Sequence, residues 1–351
     1  MKDLWAPAEI IKLYRTSKTK TSIYRDEEAG RIPEAQRIKR GNSKIMARYW
    51  KREDLPKLGE HYGFLEKPNG KKIVTVYTPK GGVLKSTLAF NLARALALHN
   101  IKVLVIGLDV QCTITHNLKL EEDDELLDSL EGISDIPDLC GLAHGEVSIK
   151  EVIKETSLPT LFYIPESPSL NRLEQKIQNE DIKREEYLTR LLDPIKDEYD
   201  VIIFDNSPNW NFLIRNSLYA ATDVICPIAC DVETYRSLNL NIEMINKFKD
   251  KARLDWNSFI LVPTKLERNK LSTSIEAQYR TVFSEFVTAG TIRAAVKGQE
   301  SSMEQLSVIE HDPSSPLAED YHIVLQDVWR RINDSQEHEP NIEAARELEE
   351  A

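Results

Sequence analysis

The chain has 351 residues, of which 41% are apolar and 29% charged, enough for an α/β core with one smaller module. It contains no run of eighteen apolar residues, and its N-terminus lacks a signal-peptide core, so we expect a cytoplasmic protein. The four cysteines are too few and too scattered for a disulfide framework, and Cys226 and Cys230 lie in an apolar segment without a nearby histidine. Buried thiols are therefore expected there rather than a metal site.

The formal net charge of −11 is unevenly distributed. Residues 1–67 carry 16 Lys and Arg against 10 Asp and Glu, whereas the remainder carries 30 against 47. Within residues 10–52, 13 basic residues stand against 4 acidic ones. A basic end on an acidic body predicts a polyanion-binding module, with a solvated basic face as the alternative.

Short elements are predicted along this basic segment. Apolar residues at helical spacing indicate one helix from Pro7 to Arg15, and a second can run from Thr19 to the helix-ending Gly30. The segment RIKRGNSKIMARYW, centred on Gly41-Asn42, is typical of a hairpin or wing, and KREDLPKL begins another helix. The polar connector EKPNGKK predicts a boundary between domains 1–66 and 67–335, followed by an acidic tail, 336–351.

The N-terminal segment, in TKTSIYRDEEAGRIPEAQR followed by ARYWKREDLPKL, resembles the winged helix-turn-helix of the MerR type. The resemblance implies that Thr19 to Glu28 is a recognition helix in the major groove and that the wing grips phosphates. Arg31 departs from the family, which usually has an apolar residue after the glycine. The implied base-facing residues are Thr21, Ser22, Tyr24 and Arg25, and the implied phosphate contacts are Arg37, Lys39, Arg40, Lys44 and Arg48. A small helical domain used only for dimerisation is the alternative.

From Ile73 onward, apolar strands alternate with helical segments. The strands are IVTVY, KVLVIGLD, LFYIP, YDVIIFD, TDVICPIA and FILVP. Continuous apolar runs of this kind predict a doubly wound, mostly parallel α/β sheet covered on both faces. Ligands bind such sheets at the carboxyl ends of the strands, where TPKGGVLKST and GLDVQ fall.

TPKGGVLKST, residues 78–87, stands between a strand and a helix, which places backbone N–H groups around phosphate oxygens. Gly81 and Gly82 allow positive φ and close approach of the backbone. We expect Lys85 at the β and γ phosphates and the Ser86 hydroxyl on Mg²⁺.

KGG followed by KST resembles the deviant Walker A motif of the ParA and MinD ATPases. The resemblance implies that the early lysine, Lys80, reaches across a nucleotide-sandwich homodimer to the partner's ATP. Pro79 departs from the Gly or Gln of many members, and Leu84 replaces the glycine before the second lysine. We expect Leu84 to adopt helical φ and ψ at the end of the loop.

Two strand ends extend the resemblance. VLVIGLDVQ resembles the family's D-x-D-P-Q, with Gly107 in place of the first aspartate and Asp109 on the second, where it would orient the attacking water. YDVIIFDNSP resembles a Walker B segment, whose carboxylate, Asp205, would hold a Mg²⁺-bound water. The predicted catalytic residues are Lys80, Lys85 and Asp109; the predicted metal site is Ser86 and Asp205; and the predicted nucleotide contacts are Lys80, Gly81, Gly82, Val83, Leu84, Lys85, Ser86, Thr87, Asp205 and Pro263.

The resemblance covers nearly all of residues 72–332 and implies an ATPase, with ATP and Mg²⁺ as ligands, that partitions plasmid or chromosome DNA. Its ATP-bound homodimer would bind non-specific DNA on the nucleoid, and a ParB-like centromere-binding protein would stimulate hydrolysis. With a helix-turn-helix in front, the chain resembles larger plasmid ParA proteins that repress their own operon. The expected non-specific DNA surface includes Arg268, Lys270, Arg280, Arg293 and Lys297.

Three alternatives remain open at this stage. A transcription regulator could use ATP as a sensor ligand with little turnover, since Gly107 and Leu84 depart from the family pattern. A MinD-like membrane ATPase would need a basic amphipathic terminal helix, but NDSQEHEPNIEAARELEEA is acidic. Electron transfer of the nitrogenase-reductase kind is the third alternative, and the sequence argues against it because Cys112 and Cys140 lack the glycine-rich surroundings of cluster ligands.

Overall fold

The computed structural model describes residues 3–39, 46–120, 136–181 and 183–334. Its N-terminal part is a three-stranded antiparallel sheet, in the order β1-β3-β2, with three helices. These elements are β1 Leu4–Trp5, α1 Pro7–Leu13, α2 Lys20–Glu28, β2 Gln36–Lys39, β3 Met46–Lys51 and α3 Leu55–Tyr62. The predicted turn at Gly41-Asn42 lies outside the described residues, but the flanking strands pair in antiparallel register, with Arg37 opposite Arg48.

The second helix has the ends that its sequence predicts. The Thr19 side chain accepts a hydrogen bond from the Ser22 backbone N–H, which satisfies one of the free donors at the helix start. The helix is followed by Gly30 with φ +68°, a conformation that glycine adopts at little cost.

The larger part of the chain is built on a seven-stranded sheet in the order β10-β9-β4-β8-β5-β7-β6. Every pairing is parallel except that of the edge strand β6 with β7. The strands are β4 Lys72–Val76, β5 Val103–Leu108, β6 Lys154–Glu155, β7 Leu161–Ile164, β8 Val201–Asn206, β9 Asp223–Ala229 and β10 Ser258–Thr264. The prediction of a mostly parallel α/β sheet is confirmed.

Helices cover both faces of this sheet. They are α4 Lys85–Leu98, α5 Thr113–Leu118, α6 Leu139–His144, α7 Ile149–Val152, α8 Leu170–Gln178, α9 Tyr187–Leu192, α10 Phe212–Ala220, α11 Val232–Ala252, α12 Lys270–Val282, α13 Lys297–Met303, α14 Val308–His311 and α15 Pro316–Asp334. Alternate residues of β8 enter different cores: Val201 and Ile203 join the cluster that includes α4 and α15, whereas Ile202 and Phe204 join the cluster on the opposite face. The continuous apolar sequence of the strand follows from this two-sided burial.

All four cysteines are buried and none forms a disulfide; burial was predicted for Cys226 and Cys230. The described residues contain no group of three or more His, Cys, Asp or Glu that could hold a metal ion. None of the helices in the described ranges has both the length and the apolar content required to span a bilayer.

The N-terminal module is packed directly on the end of α4. The Tyr14 hydroxyl lies 2.6 Å from the Leu55 carbonyl oxygen and 3.3 Å from that of Leu98, and one apolar cluster is continuous across the contact. The Phe64 backbone N–H donates to His99 Nε2 over 3.0 Å. The division of the chain near residue 66 stays a prediction, but the two parts share a core, so removal of the module would expose apolar surface.

A glycine in α3 sets how closely the module approaches α4. A Cβ at Gly59 would overlap the Leu98 carbonyl oxygen, a backbone atom that cannot move alone. We expect Gly59→Ala to destabilise the protein by about 1 to 3 kcal/mol, the usual range for overpacking. Gly298→Ala is the control, because its Cβ would meet only Leu317 Cδ2, at 3.7 Å. Thermal unfolding of the two variants checks this, and equal melting temperatures would contradict the contact.

Candidate nucleotide-binding site

The loop between β4 and α4 is tied to the neighbouring strands β9 and β10. The Thr78 hydroxyl donates to the Pro227 carbonyl oxygen over 2.7 Å, and the Thr264 hydroxyl donates to the Val83 carbonyl oxygen over 3.1 Å. The loop therefore stands at the carboxyl edge of the sheet, as predicted. Sequence reasoning missed Thr264, whose partner is 181 residues away in the chain.

Two residues of this loop have left-handed backbone conformations. Gly82 has φ +74°, which glycine accommodates without strain. Leu84, immediately before α4, has φ +69° and ψ +33°, so the expectation that it adopts helical angles is wrong. The left-handed conformation costs a residue with a Cβ about 1 to 2 kcal/mol, because the Cβ approaches the following carbonyl oxygen. Leu84 is half-buried against the main core, and this packing offsets part of the cost.

The two lysines of the loop have opposite environments. Lys85 is buried, and its Nζ donates to the Lys80 carbonyl oxygen over 2.8 Å. Burial lowers the pKa of Lys85, while the carboxylates of Asp205 and Asp109 raise it. The side chain of Lys80 is 33% exposed and reaches Glu233 Oε2 at 2.5 Å, a hydrogen bond that raises the pKa of Lys80. One lysine thus faces the interior of the site and the other faces solvent.

Asp205 lies on β8 beside the loop and is completely buried. Within the described residues neither of its carboxyl oxygens has a hydrogen-bond partner of normal geometry. Burial raises the pKa of Asp205 to about 7, and the nearby Ser86 hydroxyl and Lys85 ammonium oppose the rise. Buried carboxyl oxygens without partners are costly unless a ligand completes them. Asp205 and Ser86 supply the oxygen atoms that Mg²⁺ prefers, so the residues fit the predicted ion.

Asp109 follows β5 at the same edge, half-buried, with Oδ1 accepting from the Gln111 backbone N–H over 3.0 Å. Its charge contributes to the pKa shifts of Lys85 and Asp205, which places the three groups in one electrostatic cluster.

Glu166 is a further acidic residue of this edge that sequence reasoning missed. It follows β7 and is completely buried; burial raises its pKa well above the ordinary value, and the charge of Asp205 raises it further. The available signal was a glutamate directly after the apolar strand segment LFYIP, at the carboxyl edge where ligands bind.

The remaining residues predicted to contact the nucleotide lie at the expected edge of the sheet. Ser86 and Thr87 stand in the first turn of α4, where the Thr87 carbonyl oxygen accepts from Asn91 Nδ2 over 2.8 Å. Pro263 is buried in β10 and its carbonyl oxygen accepts from the Ile292 backbone N–H over 2.9 Å. The role of Pro263 in nucleotide binding stays a prediction.

Arg48 makes its contacts within the N-terminal module. Its guanidinium lies 4.0 Å from the centre of the Tyr24 ring and forms ion pairs of 2.8 Å with Glu27 and Glu28. Its side chain is only 14% exposed. The predicted phosphate contact of Arg48 stays a prediction, and it would require Arg48 to exchange these ion pairs for phosphate oxygens.

The other predicted DNA-binding residues of the module are more accessible. Arg25 and Lys39 are exposed, and Arg37 keeps 42% of its side chain exposed while its Nη2 lies 3.0 Å from Glu27 Oε1. Ser22 Oγ shares a hydrogen bond with Thr19 Oγ1 at 3.0 Å, so it supports the helix start. Arg40 and Lys44 lie outside the described residues.

The basic residues predicted on the large domain come together only in part. Arg268, Arg293 and Lys297 line one open cavity of about 580 Å³. The Arg293 guanidinium binds both carboxyl oxygens of Asp320, at 2.5 and 2.7 Å, and Lys297 pairs with Asp312. Two of the three cations are therefore partly neutralised within the chain.

A parallel sheet with a strand, a glycine-containing phosphate loop and a helix that begins at Lys85 defines a P-loop nucleoside-triphosphatase. The chain belongs to the AAA_31 family, described as an AAA domain, whose profile matches residues 71–258. The prediction that it is an ATPase is confirmed, and proteins named Soj and ParA are among its relatives.

Curated relatives align over most of their length. The chain is 29% identical to the chromosome-partitioning ATPase Soj of Treponema pallidum (strain Nichols), over 75% of this chain and 98% of Soj. It is 29% identical to the cell division protein PomZ of Myxococcus xanthus (strain DK1622), over 72% of this chain and 76% of PomZ. An ATP complex of a Cyanothece McdA variant superposes with a TM-score of 0.63 at 16% identity, over 77% of this chain and 99% of that protein, and supports the fold.

The left-handed backbone at Leu84 generates a test. We expect Leu84→Ile to weaken ATP binding strongly, because a β-branched residue of the same size is a poor fit to positive φ. Leu84→Gly should retain binding, since glycine adopts this conformation without strain. Calorimetric titration with MgATP measures both affinities. Equal losses in the two variants would show that the side-chain contact matters, and not the backbone conformation.

Proposed function

We propose that the protein is a ParA-type DNA-partition ATPase, whose ATP-bound dimer holds DNA and whose hydrolysis is stimulated by a ParB-like partner. The observation that supports the proposal most is the combination of two features. Neither carboxyl oxygen of the buried Asp205 has a hydrogen-bond partner of normal geometry within the described residues, and the two lysines face in different directions. Relatives that bear the names Soj, PomZ and ParA support the biological role.

In this proposal the site binds MgATP through residues that already converge. Lys85 exchanges the Lys80 carbonyl oxygen for phosphate oxygens, which need the charge more. Ser86 and Asp205 would hold Mg²⁺, which when bound would supply positive charge to offset that of the phosphates. Asp109 orients the attacking water from the loop after β5. Positioning and charge stabilisation of this kind suffice for phosphoryl transfer.

Lys80 would contact the ATP that is bound to the other subunit of the dimer. Its ion pair with Glu233 is on the surface, since the Glu233 side chain is 78% exposed, and exposed pairs contribute little stability. The lysine can therefore leave Glu233 for the triphosphate of a facing subunit at small cost. ATP occupancy would then favour dimerisation.

Substitution of the two lysines is expected to have different effects on ATP binding and dimerisation. Lys85→Ala should abolish ATP binding, because the loop loses the charge that offsets the phosphates. Lys80→Ala should retain ATP binding but lose ATP-dependent dimerisation and stimulated hydrolysis. Lys196→Ala is the control, because it removes another exposed ion pair, with Asp193 at 2.6 Å. Nucleotide titration, light scattering and phosphate release distinguish the variants; a dimeric, fully active Lys80→Ala would contradict the role across the dimer.

The N-terminal module is proposed to bind the operator of the protein's own operon as a winged helix-turn-helix. The exposed Arg25 on α2 and the exposed Lys39 and Arg37 on β2 are the residues that support this, because base contacts specify a site and phosphate contacts position the protein. The basic excess of residues 1–67 is consistent with an anionic partner.

Arg25 and Arg48 provide a matched pair of substitutions in this module. Arg25→Ala should weaken operator binding preferentially over random DNA, since a base-edge contact contributes about 1 to 3 kcal/mol of discrimination. Arg48→Ala should instead lower the melting temperature, because it removes one of the two arginines that pair with the buried Glu27. Binding assays on operator and random duplex, with thermal unfolding, check both. An equal loss on the two DNAs would place Arg25 on phosphate.

A second candidate function is an ATP-sensing transcription regulator with little turnover. Two observations favour it: the strained Leu84, and the direct packing of the N-terminal module on the end of α4. Phosphate release measured with duplex DNA and the partner separates the two functions. Stimulated turnover supports partition, whereas tight ATP binding without turnover supports the sensor.

A further inference from the structure

The side chain of Glu166 lies where a side chain at position 107 would otherwise stand. Position 107 lies on β5 in register with Asp205 on β8. Residues in register on neighbouring strands project from the same face about 5 Å apart. A Cβ at Gly107 would overlap the side chain of Glu166, with Cγ, Cδ and Oε1 as its three nearest atoms. The Glu166 carboxyl group therefore fills the space into which a side chain at position 107 would project, beside Asp205.

One oxygen of Glu166 holds the segment that follows Asp109. Glu166 Oε2 accepts from the Thr115 backbone N–H at 3.1 Å and from the Thr115 hydroxyl at 3.3 Å, and the Glu166 backbone N–H donates to Thr115 Oγ1 at 2.7 Å. Thr115 is in the first turn of α5, so Glu166 acts as a cap supplied by another part of the chain. This reciprocal contact fixes the end of the loop that begins with Asp109.

The other oxygen has no such role. Glu166 Oε1 is buried and has no hydrogen-bond partner within the described part of the chain. A purely structural cap would need only one acceptor, and a second buried oxygen left unsatisfied costs free energy. The free oxygen lies over Gly107, on the side of the sheet that carries Asp205.

We propose that Glu166 replaces, from the loop after the neighbouring strand β7, the carboxylate that β5 lacks at position 107. With Oε2 it positions the Asp109 segment, and with Oε1 it presents an acceptor to the water and metal side of the nucleotide site. Glu166 is thus a positioning residue for hydrolysis. The inference rests on the proposed ATPase site and adds a residue to it.

A swap of the two positions tests this inference. The variants are Gly107→Asp, Glu166→Ala, the double variant with both changes, and Glu166→Gln. Melting temperatures are measured without nucleotide, and kcat, KM and ATP affinity are measured with Mg²⁺ present. Gly107→Asp alone should lower the melting temperature, because the new side chain overlaps Glu166. The double variant should regain it, because alanine leaves the space free.

The kinetic part separates positioning from simple support. We expect Glu166→Ala and Glu166→Gln to lower kcat by about tenfold or more with ATP affinity nearly unchanged, as for an interaction realised in the transition state. The double variant should recover most of the lost kcat. The inference is overturned if Glu166→Gln turns over like the parent, or if the double variant is no better than Glu166→Ala.

The same measurements distinguish this inference from the proposed function. If the parent protein neither binds nor hydrolyses MgATP, the proposed function fails and the inference fails with it. If the parent hydrolyses ATP and every Glu166 variant does so equally well, only the inference fails.

Discussion

The nucleotide site depends on one buried carboxylate, Asp205, whose oxygens have no hydrogen-bond partner of normal geometry within the described residues. Parallel strands end at a common edge, and this brings Asp205 of β8, Asp109 after β5 and Lys85 at the start of α4 into one electrostatic cluster. Burial raises the pKa of Asp205 to about 7, and the Ser86 hydroxyl and the Lys85 ammonium offset this rise only in part. Active sites commonly retain the cost of such burial because the ligand removes it. Mg²⁺ and a triphosphate would supply the missing charge and oxygen contacts.

Helix α4 connects this cluster to the N-terminal module. It begins at Lys85 and ends at Leu98, a length of about 20 Å, and most of its residues are buried. At its far end the Leu98 carbonyl oxygen faces Tyr14, and Gly59 of α3 packs against the same backbone. Helix α4 therefore connects the candidate phosphate loop at one end with the N-terminal module at the other. Under the proposed function, coupling between nucleotide state and operator binding would use this contact.

Much of this architecture is predictable from sequence because its signals are local. The apolar strand runs, the phosphate loop and the capped helix at Thr19 depend on residues close together in the chain, and the structure contains each of them. Three features could not be predicted from the sequence, because they depend on residues that are distant in the chain. The loop that contains Leu84 is tied to Thr264, Arg48 on β3 pairs with Glu27 on α2, and Glu166 contacts Thr115 from the loop after β7.

The most direct test of the account is whether the carboxylate cluster is completed by magnesium and triphosphate together. Scanning calorimetry of the full chain should show a higher melting temperature with ATP and Mg²⁺ than with ATP and EDTA or with Mg²⁺ alone, because a ligand stabilises the folded state that binds it. Asp205→Asn should remove the contribution of the metal. An equal rise with ATP in EDTA, or no rise under any of these conditions, would contradict the account.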